Sequence, residues 1–442
     1  MNTKAIFQGK SILDHWEVSL YFLALCSIVF HVTYFESYSE VLTFSLLLLL
    51  GCFIFRGENQ RYFLMAFSLG IAAAVLQGFI FYLVNGKPFA GGGDDEFFYN
   101  QAVKMMAGKK VKLGNYAVYL YINYSIYSIG DFLGFTDMSY LNIGYSNAFV
   151  GATIAPCINN IAKKFFDTDY TRKTVYYVMF FPIIISYSGL LLRDIWVAAI
   201  AVWIVYITLS NFNMLIKILL IAVCFYLSFG FRAATAVVSV MFFLSYLFYG
   251  LKNFYLKFTL AFIAFFIFFA FFYKNIVAVQ DLTTDVYVGK VVGSAGDNSV
   301  GSKFVTSNNP VMKAIYFVII LYNPVPPFRG FVIDDLFVTF GAMMWYFIIP
   351  GFILGLFTAM KDQKLKRYAY SFATSSAILL LALFSMFGNE RHKLMMYPIA
   401  IFFYIYYLKN YSSRFRTNLM AIYCLAITVM VLVYATVKLQ LL

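Results

Sequence analysis

The apolar runs of this sequence leave few folds open to the chain. Runs of roughly 18 to 25 apolar residues recur along it, the length that a helix needs to cross the hydrocarbon core of a bilayer. The chain of 442 residues is 62% hydrophobic and 12% charged, whereas soluble domains carry about 25% charged residues. The runs do not alternate polar with apolar residues, which argues against a strand barrel. The sequence therefore predicts an all-α, polytopic membrane protein.

The extent of these runs predicts about thirteen transmembrane helices in a single integral-membrane domain over residues 1–442. The predicted spans are 18–35, 41–55, 62–84, 139–162, 174–192, 195–210, 214–231, 233–250, 254–273, 336–357, 368–387, 394–408 and 418–437. Two aromatic-rich segments, 116–135 and 311–322, are ambiguous, and we place them in the interface or in a re-entrant loop. The first run lacks a small-residue cleavage site, so a retained span is expected.

The positive charge of the chain, formally +13, lies mainly at the ends of apolar runs. This placement indicates orientation in a bilayer and contact with anionic lipid or phosphate groups, and it argues against nucleic acid as a partner. With the N-terminus inside, the short inner loops are the consistently basic ones. Residues 85–138 and 274–335 then form two long extracytoplasmic loops.

An acidic triplet, Asp94, Asp95 and Glu96, opens the first outer loop, directly behind three glycines. A carboxylate placed there can take the proton of an acceptor hydroxyl. Asp94 and Asp95 can alternatively hold a divalent cation that neutralises a phosphate leaving group. Tyr99 follows and offers a ring on which a sugar can stack. One competing interpretation is a solvated surface loop. In another, Asp95 starts the possible helix over residues 100–107 and its side chain is the N-cap.

Basic side chains interrupt the apolar sequence at places that the same topology puts on the outer side. The planar fork of arginine binds phosphate oxygens in pairs, and charge this close to a membrane is generally functional or paired. The predicted ligands of the donor phosphates are Arg193, Arg232, Arg391, His392 and Lys393. For each of them, a polar turn whose charges merely face water is the alternative.

The remaining predicted substrate contacts are Asp194, at a break between two apolar runs, and residues of the second outer loop. That loop ends in a proline-rich stretch, residues 323–330, which cannot continue a helix. Long loops in compact proteins are usually functional or disordered, and we expect this one to cover a bound sugar. Its candidate residues are Arg329, Asp334 and Asp335, although the acidic pair can equally be a helix cap.

The order of these features resembles the GT-C superfamily of integral-membrane glycosyltransferases and related proteins of bacterial surface-polysaccharide assembly. The residues that carry the resemblance lie in segments 93–99, 182–194 and 391–398. It implies a polyprenyl-phosphate- or polyprenyl-diphosphate-linked sugar donor and catalysis at the outer face of the bacterial inner membrane. It also implies an acidic residue of the first outer loop as base or metal ligand, a role that falls to Asp94 or Asp95.

Three functions stay open at this point. The favoured one is transfer of a sugar or oligosaccharide from a polyprenyl-linked donor to an envelope polysaccharide, with membrane lipid and other polysaccharide-assembly proteins as partners. A polymerase of O-antigen or capsule repeat units would also join lipid-linked sugars at the outer face. The rival from another class is a transporter or flippase of lipid-linked oligosaccharide. It would carry charges through the depth of the membrane, whereas here they gather at one face.

Overall fold

The structure, a computed structural model, describes residues 16–89, 93–111, 116–259, 261–263, 266, 336–384 and 390–440. Every regular element within these ranges is a helix, so the all-α prediction is confirmed there. The second predicted outer loop lies outside the described residues, and its candidates Arg329, Asp334 and Asp335 lie there too.

The helices follow one another with short connections. In chain order they are α1 (Trp16–Phe35), α2 (Ser39–Ile54), α3 (Glu58–Asn85), α4 (Asp94–Met106), α5 (Ala117–Phe132), α6 (Tyr140–Ala152), α7 (Ile154–Ala162), α8 (Thr168–Met179), α9 (Pro182–Gly189), α10 (Asp194–Leu209), α11 (Met214–Phe231), α12 (Ala233–Gly250), α13 (Leu336–Lys361), α14 (Lys366–Phe384), α15 (Glu390–Lys393), α16 (Tyr397–Asn410) and α17 (Ser413–Gln440).

Four stretches within the described helices are long and apolar enough to cross a membrane: Glu17–Phe35, Glu58–Asn85, Met214–Phe231 and Phe337–Lys361. Shorter apolar helices, among them α2 and α10, accompany them. Together they indicate a membrane protein. The larger total of about thirteen spans stays a prediction.

Two predicted spans are each divided into two helices. Residues 174–192 contribute to α8 and α9, which separate before Pro182 because proline has no N–H to continue the helical ladder. Phe181 takes an extended conformation, with φ −71° and ψ 114°, as a residue before proline tends to do. Residues 139–162 form α6 and α7, with a turn at Thr153 between them.

Lysine side chains bind the carbonyl groups at the end of helix α10, which begins at Asp194 and ends at Leu209. The ammonium of Lys164 donates to the carbonyl of Leu209, and that of Lys217 donates to the carbonyl of Thr208 at 2.9 Å. These lysines neutralise helix C-termini, where cations are stabilising.

Small residues allow several helices to approach closely. A Cβ at Gly355 of α13 would overlap the carbonyl oxygen of Phe403 in α16, so the two helices meet at backbone distance. A Cβ at Gly189 would lie 2.6 Å from the amide nitrogen of Ala74, which fixes the end of α9 against α3. Close approach through small residues is a common mode of helix packing in membranes.

We expect Gly355→Ala to destabilise the protein by about 1–3 kcal/mol, because the added methyl group has no room against the backbone of α16. The matched control is Gly130→Ala in α5, where the nearest atom to a new Cβ is 3.9 Å away. The measurement is thermal unfolding of both variants in the same detergent. Equal unfolding midpoints would contradict the assigned helix contact.

Candidate anion-binding site at the helix ends

Helix α4 begins with the acidic triplet itself, earlier than the predicted helix over residues 100–107. Gly93 is the N-cap, with a φ of 84°, a left-handed conformation that favours glycine. The expectation that Asp95 caps this helix is therefore wrong. The Oδ1 atom of Asp95 instead accepts a hydrogen bond from the amide of Glu96 at 2.9 Å.

The three acids of the triplet lie in three different surroundings. Asp94 is 59% exposed, and its Oδ2 lies 2.9 Å from Nη1 of Arg391. Asp95 is buried within the bundle. Glu96 forms a surface ion pair with Lys87, with 2.9 Å between Oε1 and Nζ. Asp94 is thus the member of the triplet whose ion pair joins it to a predicted phosphate ligand.

A second ion pair lies deeper in the protein. Nη2 of Arg232, at the junction of α11 and α12, is 2.9 Å from Oδ1 of Asp194, the first residue of α10. Asp194 is only 3% exposed and Arg232 only 17% exposed. A carboxylate in this position needs a cationic partner, because an unpaired buried charge is strongly destabilising.

Arg193 completes the group from the turn before α10. Its guanidinium carbon lies 5.8 Å from the ring centre of Phe98 in α4 and 5.7 Å from that of Tyr116 at the start of α5, so two aromatic residues hold it by cation–π contacts. Burial lowers the pKa of Arg193, and the positive charge of Arg232 lowers it further. An arginine stays protonated at neutral pH despite such a shift.

The two ion pairs and Arg193 form one electrostatic unit. Burial lowers the pKa of Arg391, but the charges of Asp194 and Asp94 more than offset this and raise it. Burial lowers the pKa of His392 most. The positive charges of Arg232, Arg391 and Arg193 lower it further, to about 2. We refer to Arg193, Arg232 and Arg391 as the arginine cluster.

Polar atoms within this unit have no hydrogen-bond partner in the part of the chain that the structure describes. They include Nε of Arg391 and Nδ1 of His392, both buried; Oδ1 of Asp194, which is in the ion pair with Arg232, is another. Buried polar groups are normally satisfied, so such atoms call for a ligand or a water. Two helix N-termini, those of α4 and α10, begin beside the arginine cluster and favour an anion.

The other predicted site residues lie outside this unit or have a different role in it. Lys393 is 1% exposed, so its side chain is buried rather than presented to solvent. The hydroxyl of Tyr99 donates to the carbonyl of Met138 at 2.9 Å, and its ring packs beside Phe89 at 5.3 Å. Among the described residues, no group of three or more His, Cys, Asp or Glu side chains could hold a metal ion.

Sequence reasoning missed the residue that contacts the turn before Arg193. Asn147 of α6 is fully buried and hydrogen bonds to the backbone of that turn and to the indole of Trp196. Its signal in the sequence was a strongly polar side chain within a predicted apolar span. Such residues often bond across helices in membrane proteins.

Comparison of the chain with protein families, curated proteins and solved structures finds no match. The geometry of the site and the chemistry of its residues are therefore the basis for a function.

We expect the stability of the protein to fall as the pH is lowered from 7 to 5, through His392. In the folded protein its pKa is about 2, so below the ordinary pKa of 6.5 the unfolded chain binds a proton that the folded protein excludes. The loss at pH 5 is about 2 kcal/mol. It vanishes above pH 7, where both states are neutral.

The measurement is chemical unfolding in detergent over this pH range, with His392→Gln as the control. The variant lacks the titrating imidazole, so its stability should depend less steeply on pH. Parallel curves for the two proteins would show that His392 titrates normally in the folded state.

Proposed function

We propose that this protein is a membrane glycosyltransferase that moves a sugar or oligosaccharide from a polyprenyl-phosphate- or polyprenyl-diphosphate-linked donor to an envelope polysaccharide. The observation that carries the proposal is the convergence of three guanidinium groups in the arginine cluster, beside helix N-termini and next to the exposed carboxylate of Asp94. A lipid phosphate would reach it from the membrane, and guanidinium groups bind phosphate oxygens in pairs.

In this proposal the arginine cluster binds the donor phosphates and stabilises the negative charge that grows on them as the bond to the sugar breaks. Nε of Arg391, which has no partner in the described part of the chain, gains a phosphate oxygen as acceptor. The neutral imidazole of His392 contributes a hydrogen bond without adding charge.

Asp94 is the proposed base. Its ion pair with Arg391 is partly open to solvent, and such pairs contribute little to stability. A donor phosphate competes with Asp94 for Arg391 and frees the carboxylate to accept the proton of the acceptor hydroxyl. The hydroxyl oxygen forms the new bond to the anomeric carbon, and the polyprenyl phosphate or diphosphate leaves with the electron pair of the broken bond.

The number of transmembrane helices and their orientation are part of the same proposal. About thirteen helices cross a bacterial inner membrane, and the arginine cluster faces the extracytoplasmic side. The basic residues near the end of α10 at Leu209 then face the cytoplasm, in agreement with the positive-inside rule.

We expect Lys109→Cys to react with a membrane-impermeant maleimide on intact spheroplasts, because residue 109 lies in the first outer loop. Lys252→Cys and Lys364→Cys, at the ends of α12 and α13, should react only after the membrane is opened. All three lysines are exposed, and the labelling uses a background in which the five native cysteines are replaced. Labelling of residues 109 and 252 from the same side would refute this topology.

We expect Asp94→Asn to lower sugar transfer by about 100-fold or more, the usual contribution of a general base. The purified protein is incubated with defined polyprenyl-linked sugars and saccharide acceptors, and products are identified by mass spectrometry. The matched control is Asp131→Asn, which removes another exposed carboxylate from the first outer loop. Full activity of the Asp94 variant would remove the proposed base.

The same assay separates the related functions. Extension of one lipid-linked repeat unit by another would identify a polymerase, and a strain without the protein would then make lipopolysaccharide with a single repeat unit. Movement of lipid-linked oligosaccharide across proteoliposomes without a covalent product would identify a transporter.

A further inference from the structure

We propose that Asn147 is a positioning residue of the arginine cluster: it holds the turn between α9 and α10 in the conformation that directs Arg193 and Asp194 into the site. This inference rests on the proposed anion-binding function. It concerns a side chain that touches no ligand and acts through the backbone of its neighbours.

The contacts of Asn147 converge on one turn. Its amide nitrogen donates to the carbonyl oxygens of Leu190 at 2.6 Å and of Leu192 at 3.1 Å. It also lies 3.0 Å from the hydroxyl of Tyr119. Its Oδ1 accepts the indole N–H of Trp196 at 2.7 Å. One buried side chain thus connects α5, α6, the turn and the first part of α10.

The chemistry of these partners fixes how the amide is oriented. A carbonyl oxygen can only accept a hydrogen bond, and an indole N–H can only donate one. The orientation that satisfies Leu190, Leu192 and Trp196 together therefore places the nitrogen of Asn147 towards the turn and its oxygen towards the indole. A residue with only donors or only acceptors cannot replace it.

The turn needs such a partner because its residues lie outside the helix, so their carbonyl groups have no intrahelical donor. Helix α9 ends at Gly189, and Leu190 is extended, with φ −78° and ψ 150°. Buried carbonyl groups outside a helix require other donors. On its other side the turn is packed tightly, because a Cβ at Gly189 would lie 2.6 Å from the amide nitrogen of Ala74. The turn is therefore held between α3 and Asn147.

The bonded carbonyl of Leu192 belongs to the peptide that joins it to Arg193. Fixing this peptide fixes the start of α10, and so the positions from which the two charged side chains extend. Arg193 then reaches the rings of Phe98 and Tyr116, and Asp194 reaches Arg232 at 2.9 Å. A shift of about 1 Å at such a site is enough to cost much of its function.

The test measures binding of inorganic pyrophosphate to the full-length protein in detergent by titration calorimetry. Asn147→Leu has a similar shape but no polar atom, and we expect it to weaken binding about tenfold or more. Asn142→Leu is the matched control. It makes the same change in the same helix at a residue that is 3% exposed, whose amide bonds to Ser39 and not to the turn, and it should keep the affinity of the natural protein.

A double-variant cycle separates positioning from general damage. If Asn147 acts through the turn that carries Arg193 and Asp194, adding Asn147→Leu to Arg193→Ala should lower the affinity by less than it lowers that of the natural protein. Independent losses that add in the double variant would overturn the inference, as would unchanged binding by Asn147→Leu alone. Asn147→Ser takes the place of the leucine variant in the cycle if the latter does not fold.

The outcomes distinguish this inference from the proposed function. No binding of pyrophosphate by the natural protein, or binding that Arg193→Ala leaves intact, would overturn the anion site and the role of Asn147 with it. Binding that depends on Arg193 but not on Asn147 would keep the anion site and overturn only the positioning role.

Discussion

The buried ion pair between Arg232 and Asp194 is the interaction on which the site depends. Asp194 is almost without solvent contact, and removal of one partner from such a pair costs about 3–5 kcal/mol, because the other charge stays buried and unpaired. The pair therefore joins the start of α10 to the junction of α11 and α12. Arg193 and Arg391 lie beside these two elements, and the three arginines together form a cationic surface.

The second ion pair has a different character. Asp94 is more than half exposed and Arg391 is only partly buried, so water screens their attraction and the pair contributes little to folding. A phosphate with more than one oxygen can replace such a carboxylate at a guanidinium at little cost to the protein. The inner pair thus supports the structure, while in the proposed function a donor phosphate replaces Asp94 in the outer pair.

Much of this architecture follows from hydropathy. The predicted span 214–231 has the bounds of α11, and the charges of Arg193, Asp194 and Arg232 fall at helix ends as expected. The break before Pro182 was missed because the apolar run continues through it, and hydropathy does not record the dihedral restriction of proline. The cap at Gly93 depends on a backbone angle, which a count of acidic side chains does not show.

A single sequence does not show which charged residues of the site pair with one another. Which arginine meets which aspartate depends on how helices pack, and Asp94 and Arg391 are separated by 297 positions. Asn147 was overlooked for the same reason: its polarity was visible, but its hydrogen bonds join it to a turn that is distant in the chain.

This separation has a consequence for biogenesis. Arg391 is synthesised 297 positions after Asp94. Until Arg391 has been inserted, the carboxylate of Asp94 lacks the guanidinium that it contacts in the folded protein. Under the proposed function, the cluster can therefore capture an anionic lipid only after Arg391 has been inserted.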